Sequence, residues 1–272
     1  MYSTLRDTKI AIKLVSMLAN YHTHTSRCKH AKGSEREYIE RAIACGFKIL
    51  GFSDHTPQPY PDNYISPIRM EMEEIEDYTS TLAALREEYK DRIKILIGYE
   101  VEYTHKYFDK LLTELKKYPL DYIIQGQHFA PDEVVGAYMG FKTNDENRLK
   151  EYAELTSEGM KTGLFSYLAH PDLINYTGDD ETYRKYMKRI VETSLEYDIP
   201  LEINMLGFVE GRNYPCDRFF KLASEMGARF IIGCDAHKPE AVIQPQSVDG
   251  LTDFLDRYGI KTGDNIIELK KI

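Results

Sequence analysis

Short apolar runs alternate with longer amphipathic stretches along most of the chain. The runs at 17–22, 48–53, 93–99, 122–126, 164–169, 200–204 and 230–233 are rich in Ile, Leu, Val and aromatic residues and short enough to be strands. Helical patterns lie between them. Ser34-Glu35-Arg36-Glu37 reads as a capping box, and Gly46 closes that helix. A long charged amphipathic run covers 69–90, and others lie near 105–118, 145–162, 180–197 and 217–226, the last closed by Gly227. A final helix is expected over 247–258. Strands alternating with helices imply parallel strands joined by crossover helices. Seven such units favour a (β/α) barrel over an open sheet, because chemically active residues stand at nearly every strand end. An open doubly wound sheet would gather them at one switch point. In a barrel the active groups collect at the C-terminal face.

The histidines carry this expectation. Of eight, seven sit at or just beyond a predicted strand end. His22-Thr23-His24 follows the first strand, with His30 shortly after. Asp54-His55 follows the second, and Glu100, with Glu102 nearby, ends the third. His128 follows the fourth, His170-Pro171-Asp172 the fifth, and Asp235-Ala236-His237 the seventh. Only His105 lies elsewhere. Neutral imidazole and carboxylate are the ligands of zinc, manganese and iron, and sites with two or more ions use bridging carboxylates. A His-x-His pair leaving a strand places both rings on one side, since side-chain direction alternates with period two. Single histidines are ordinarily packing or surface residues; seven in the same phase of successive units point to a metal centre.

Composition narrows the classes. With 35 Lys and Arg against 44 Asp and Glu, the net charge is −9, which argues against a partner that is a long nucleic acid. No run is long and apolar enough for a membrane span. Cys28, Cys45, Cys216 and Cys234 form no CxxC pair and read as free buried thiols of a reducing cytoplasm. Arg6 and Lys9 precede an apolar run over 10–19, but Lys13 interrupts it and His22 follows too closely for a removable signal. The chain reads as one domain over 1–272, with residues 1–16 an extension and Met17 an alternative start.

Taken in order, His22-x-His24, His30, Asp54-His55, Glu100, His128, His170-Pro171-Asp172 and Asp235-Ala236-His237 resemble the PHP (polymerase and histidinol phosphatase) superfamily, from Tyr21 to about Lys238. Gly51-Phe52-Ser53-Asp54-His55-Thr56-Pro57, the stretch to Met70, Gly126-Gln127-His128-Phe129 and Glu202-x-Asn204 through Tyr214-Pro215 look like its histidinol-phosphatase branch. The resemblance implies an α/β fold, a distorted seven-stranded TIM-like (β/α)7 barrel with three divalent ions (Zn, Mn or Fe) at its C-terminal face. Carried over by position, His22, His24, Glu100 and Asp235 would hold the first ion. Glu100 would bridge to the second, held also by His128 and His170, while His30, His55 and His237 would hold the third. Glu100 follows Gly98-Tyr99 in the family's Gly-x-Glu pattern, but Glu102 shares its strand parity and stays an alternative. Cys234 departs from the Ser or Thr common before the last Asp; it reads as a small buried side chain, with competition for metal as the alternative.

The expected reaction is hydrolysis of L-histidinol phosphate, a small-molecule substrate, to L-histidinol and phosphate in histidine biosynthesis, by a hydroxide bridging two metals. The substrate comes from the resemblance; metal-dependent hydrolysis follows from the ligands. The alternative is another small phosphomonoester, a nucleotide or an oligonucleotide end. A non-catalytic module predicts missing ligands, and none is missing. Asp54 or a metal-bound water would protonate the leaving group. Arg212, in the loop after the sixth strand, is the first candidate for phosphate contact, since arginine suits bidentate phosphate binding; Arg69 and Lys238 follow. Asp172 is expected to orient a ligand histidine, and Tyr60, Tyr64 or Phe129 to pack on an imidazole.

Overall fold

The computed structural model describes residues 16–61 and 63–272. The reading of 1–16 as an extension therefore falls, Ser16 apart, outside the described residues. Strands β1 (Ala19–Asn20), β2 (Ile49–His55), β3 (Lys94–Val101) and β4 (Tyr122–Gln125) pair in that order, all parallel. A two-stranded antiparallel hairpin follows, β5 (Phe129–Ala130) with β6 (Ala137–Tyr138). Strands β7 (Leu201–Asn204) and β8 (Phe230–Gly233) form a second parallel pair.

The expected strand at 164–169 is not regular. It makes isolated parallel bridges, Gln125–Leu168 on one side and Leu168–Leu201 on the other, and so links β4 to β7. It is hemmed between Gly163 at φ 72° and His170 at φ 28°, both of which turn the chain out of the extended region. A Thr23–Ala236 bridge ties the end of the last strand back to the first. The first strand is also shorter than expected. The Met17 N–H goes to the Gln244 side chain (2.9 Å) and the Leu18 N–H to the Asp264 carbonyl (2.8 Å), so only Ala19 and Asn20 join the ladder.

Helices α1 (Glu35–Ala44), α2 (Ile75–Tyr89), α3 (Phe108–Leu115), α4 (Glu146–Lys161), α5 (Asp180–Glu196), α6 (Met205–Glu210), α7 (Asp217–Glu225) and α8 (Leu251–Arg257) connect the strands. The Ser34 capping box forms: Glu37 accepts from the Ser34 N–H at 2.7 Å and from its hydroxyl at 2.8 Å. The run expected as helix from 69 begins regular α-helix only at Ile75, after a 3-10 turn at Met72–Glu74. Among the described residues no helix is long and apolar enough to cross a membrane.

The sheet curls, and the period-two alternation sorts side chains between two cores. Ile95, Ile97, Tyr99 and Val101 pack in the large core that includes helix residues such as Leu82 and Leu111. Leu96 joins a smaller cluster with Tyr21, Tyr122, Ile124, Tyr167 and Ile231 on the concave side. Glu100 shares the parity of Leu96, Glu202 stands on the corresponding row of β7 opposite Ile231, and Asp235 continues that row two residues past the end of β8. The alternation that buries the apolar rows thus delivers carboxylates to the concave side.

Candidate metal centre

Glu100 is the hub. It is buried, and five imidazoles divide between its two oxygens. His170 Nε2 lies 2.7 Å and His128 Nε2 3.5 Å from Oε1. His55 Nδ1 (2.9 Å), His22 Nε2 (3.6 Å) and His24 Nε2 (3.7 Å) surround Oε2. Asp235 Oδ1 is shared by His24 Nε2 (3.0 Å), His237 Nδ1 (3.3 Å) and His22 Nε2 (3.5 Å). The His30 ring stacks on His237 with centroids 4.6 Å apart. Donor atoms of His22, His24 and Asp235 lie within 4.8 Å of one another, as do those of His22, Glu100 and His170, and those of His24, His55 and His237.

The chemistry of these donors tests whether cations belong there. Despite the short separations, His22 Nε2, His24 Nε2, His55 Nδ1, His237 Nε2 and Glu100 Oε2 are buried without a hydrogen-bond partner. Orphaned buried polar atoms are costly and rare, and here they converge. Lone pairs on imidazole and carboxylate meeting in one place are a divalent cation's donor set.

The charges agree. Burial alone would raise Glu100 and Asp235, but His128, His55 and His22 around the one, and His22, His24 and His237 around the other, hold both carboxyls well below their usual range. Burial would lower His22, yet Glu202, Asp235 and Glu100 outweigh it and push it to about 10. Burial takes His55 and His128 well below the usual imidazole value, and burial with His24 takes His237 down to about 3.

A layer of supporting groups fixes the rings. His22 Nδ1–H donates to Glu202 at 2.7 Å. The other Glu202 oxygen accepts the His170 N–H (3.0 Å) and the Asn204 amide (2.9 Å), and that amide also donates to Asp235 (3.0 Å). Carboxylates behind ligand histidines fix ring orientation and raise donor strength. Two glycines clear the space. A Cβ at Gly126 would lie 2.0 Å from a Glu100 oxygen, and one at Gly233 would lie 1.8 Å from a Glu202 oxygen. His170 (φ 28°) and Asp235 (φ 49°) both adopt left-handed backbone, strain of the kind that gathers at functional sites.

The cluster floors a cavity of about 550 Å³. Phe129, Tyr138, Phe141 and Tyr214 supply aromatic walls, and Arg212 and Glu210 stand among the lining residues. Arg212 donates through Nε to Glu210 (2.9 Å) and through Nη1 to the Tyr214 hydroxyl (2.7 Å).

Several expectations are corrected. Arg69 is fully buried and does not line the cavity, its guanidinium engaged by Glu102 (2.5 Å) and Glu133 (2.7 Å). Lys238 is exposed and caps a 3-10 turn outside the cavity. Asp54 is fully buried, approaches His24 Nδ1 at 3.4 Å, accepts the His55 N–H at 2.8 Å and does not line the cavity. Asp172 accepts the Cys216 N–H at 2.6 Å and makes no hydrogen bond to a ligand ring; burial pushes its carboxyl up to about 7. Tyr60 and Tyr64 donate to Glu133 instead of packing on an imidazole. Between the two glutamates, Glu100 faces the imidazoles, while Glu102 accepts the His128 and Phe129 N–H groups. Cys234 donates its thiol to the Ile243 carbonyl at 3.6 Å, and His105 pairs with Glu158 on the surface.

The role of Glu202 escaped the sequence reading. Its signal was present: a charged residue inside the apolar run Leu201-Glu202-Ile203, on the row that faces the concave side.

The sequence model of the PHP domain family matches residues 20–206. The chain belongs to the PHP family. Among PHP relatives it is 29% identical over 237 residues to a protein of Deinococcus radiodurans named probable histidinol-phosphatase, covering 83% of this chain and 88% of the relative. Another protein of that name, from Schizosaccharomyces pombe, is 28% identical over 270 residues, covering 88% and 86%. The fold matches a putative histidinol phosphatase of Listeria monocytogenes with TM-score 0.67 at 21% identity, covering 82% of this chain and 96% of that one. It also matches the Lactococcus lactis histidinol phosphate phosphatase, solved with zinc, L-histidinol and phosphate, with TM-score 0.65 at 20% identity, covering 89% and 94%.

Proposed function

We propose that this PHP protein is a cytoplasmic, metal-dependent phosphomonoesterase that hydrolyses L-histidinol phosphate to L-histidinol and phosphate. The observation that carries the reading is the division of five imidazoles between the two oxygens of Glu100, the arrangement a bridging carboxylate requires. On this reading the curled sheet is a single-domain, distorted (β/α)7 barrel with its chemistry at the C-terminal face. His22, His24, Glu100 and Asp235 would hold one ion, Glu100, His128 and His170 a second, and His30, His55 and His237 a third. Divalent cations bound there supply Lewis acidity and lower the pKa of water from 15.7 toward ~7.

The remaining work falls to side chains. Arg212 offers its guanidinium to the phosphoryl oxygens, with Tyr214 fixing its direction. Glu210 is the lining carboxylate outside the ligand cluster, and it pairs the substrate's ammonium. The walls of Phe129, Tyr138 and Phe141 give a flat heteroaromatic ring an apolar face. Glu202 and Asp54 hold His22 and His24 in place. The names of the Deinococcus and fission-yeast relatives support the substrate assignment.

The test is phosphate release from histidinol phosphate against a panel of sugar phosphates and nucleotides, with and without added manganese or zinc. Metal-dependent release with kcat/KM at least about tenfold above the panel is expected. No preference for histidinol phosphate rejects the substrate assignment.

A further inference from the structure

Cys28 is the one cysteine whose sulfur groups with imidazole nitrogens. The other three thiols face oxygens: Cys45 the Val242 carbonyl (3.3 Å), Cys234 the Ile243 carbonyl (3.6 Å) and Cys216 the Tyr183 hydroxyl (3.4 Å). Cys28 is fully buried, and its sulfur and ring nitrogens of His30 and His237 lie within 4.8 Å of one another. The sulfur also groups with donors of His24 and Asp54 within the same limit.

Local structure builds this convergence. Cys28 ends a 3-10 turn at Ser26–Cys28, and Lys29 at φ 68° reverses the chain so that Cys28 and His30 meet. His30 Nδ1–H donates to the Cys28 carbonyl at 2.7 Å, leaving Nε2 as the free donor of that ring. His237 turns Nδ1 toward the Asp235 carbonyl at 3.1 Å, and its Nε2 is buried without a partner. His24 and His55, whose side chains are 0% and 6% exposed, group with His237, and their unpartnered nitrogens, His24 Nε2 and His55 Nδ1, face Glu100 Oε2 at 3.7 and 2.9 Å. A buried thiol therefore stands with the rings of His30 and His237, the second of which carries an unpartnered Nε2.

We propose that Cys28 is a metal donor, adding sulfur to the ion held by His30 and His237. The proposal rests on reading the cluster as a metal centre. On binding, the S–H bond is given up, a sulfur–metal bond forms, and the proton passes to solvent. Sulfur is a soft donor, so this corner of the site favours zinc or cobalt over manganese more strongly than the Glu100 corner, with imidazole and carboxylate alone.

Cobalt(II) titration of the full chain tests this. Cobalt-loaded wild type is expected to show a near-ultraviolet sulfur-to-cobalt charge-transfer band that Cys28→Ser loses and Cys234→Ser keeps. Cys28→Ser should also reduce the preference for zinc over manganese by about tenfold. Cobalt bound by wild type without the band overturns the proposal and leaves the metal centre standing, as does the band persisting in Cys28→Ser. No cobalt bound by wild type overturns the metal centre and the proposal together. Circular dichroism of Cys28→Ser, with Cys28→Ala as a second variant, separates lost ligation from lost fold.

Discussion

Two buried clusters of charge meet at the C-terminal end of β3, two residues apart, and they treat their charges oppositely. At Glu102 every demand is met. Its oxygens take Arg69 (2.5 Å) and the N–H groups of His128 (2.6 Å) and Phe129 (2.5 Å). Arg69 also binds Glu133 (2.7 Å), which accepts from Ser66 (2.6 Å) and Tyr64 (3.0 Å). At Glu100 the burial is the same and the donors are more numerous, yet Oε2 and the nitrogens facing it have no hydrogen-bond partner. A network that closes on itself is structure; one that ends in convergent lone pairs is built for something else. Buried charge alone does not mark a site here. Unsatisfied buried charge does.

The comparison can be broken most severely at the open cluster. His128→Ala should lower turnover by about a thousandfold or more, measured as phosphate release, with the metal-free melting temperature unchanged. Wild-type rates in the metal-reconstituted variant would remove His128 from the centre. The closed cluster should respond the other way. Arg69→Met leaves Glu102 and Glu133 buried without their cation and should cost about 3–5 kcal/mol in urea unfolding. A variant as stable as wild type would show that the two networks do not differ as described.

Finer tests sharpen the boundary between them. Glu202→Gln keeps the shape but weakens the support behind His22, and metal affinity should fall about 10–100-fold by competition with a chelator. Unchanged affinity would make Glu202 a packing residue. Arg212→Ala removes a charge-assisted contact of about 1.5–3 kcal/mol, so kcat/KM should fall by about 10–100-fold with metal content intact. A loss of metal instead would move Arg212 from substrate contact to scaffold.

The two clusters also differ in how readable they were. The open one was written in the sequence because its candidate ligands are rare residues repeated in one phase: His22, His55, His128, His170 and His237 all sit at or just beyond the ends of apolar runs that read as strands. Helix starts were equally plain where a local device sets them, as at Ser34 and Glu37. The closed cluster was not legible. Arg69 and Glu133 are 64 residues apart, and nothing local separates an arginine that binds phosphate from one sealed against two glutamates. Asp54 and Glu202 were misjudged or passed over for the same reason: which group a carboxylate faces is decided by strand parity and by neighbours distant in sequence. The bend at 164–169 is flanked by a left-handed His170, a backbone conformation uncommon for any residue but glycine and signalled by nothing local in the sequence.

The central claim is that the unsatisfied donors around Glu100 are metal ligands. Metal content measured on the zinc- or manganese-titrated protein tests it most directly. Wild type should retain about three equivalents per chain, and Glu100→Ala, folded by circular dichroism, should lose the bridged pair. A wild-type chain that retains no metal and still releases phosphate from histidinol phosphate at its full rate after chelation would contradict the account.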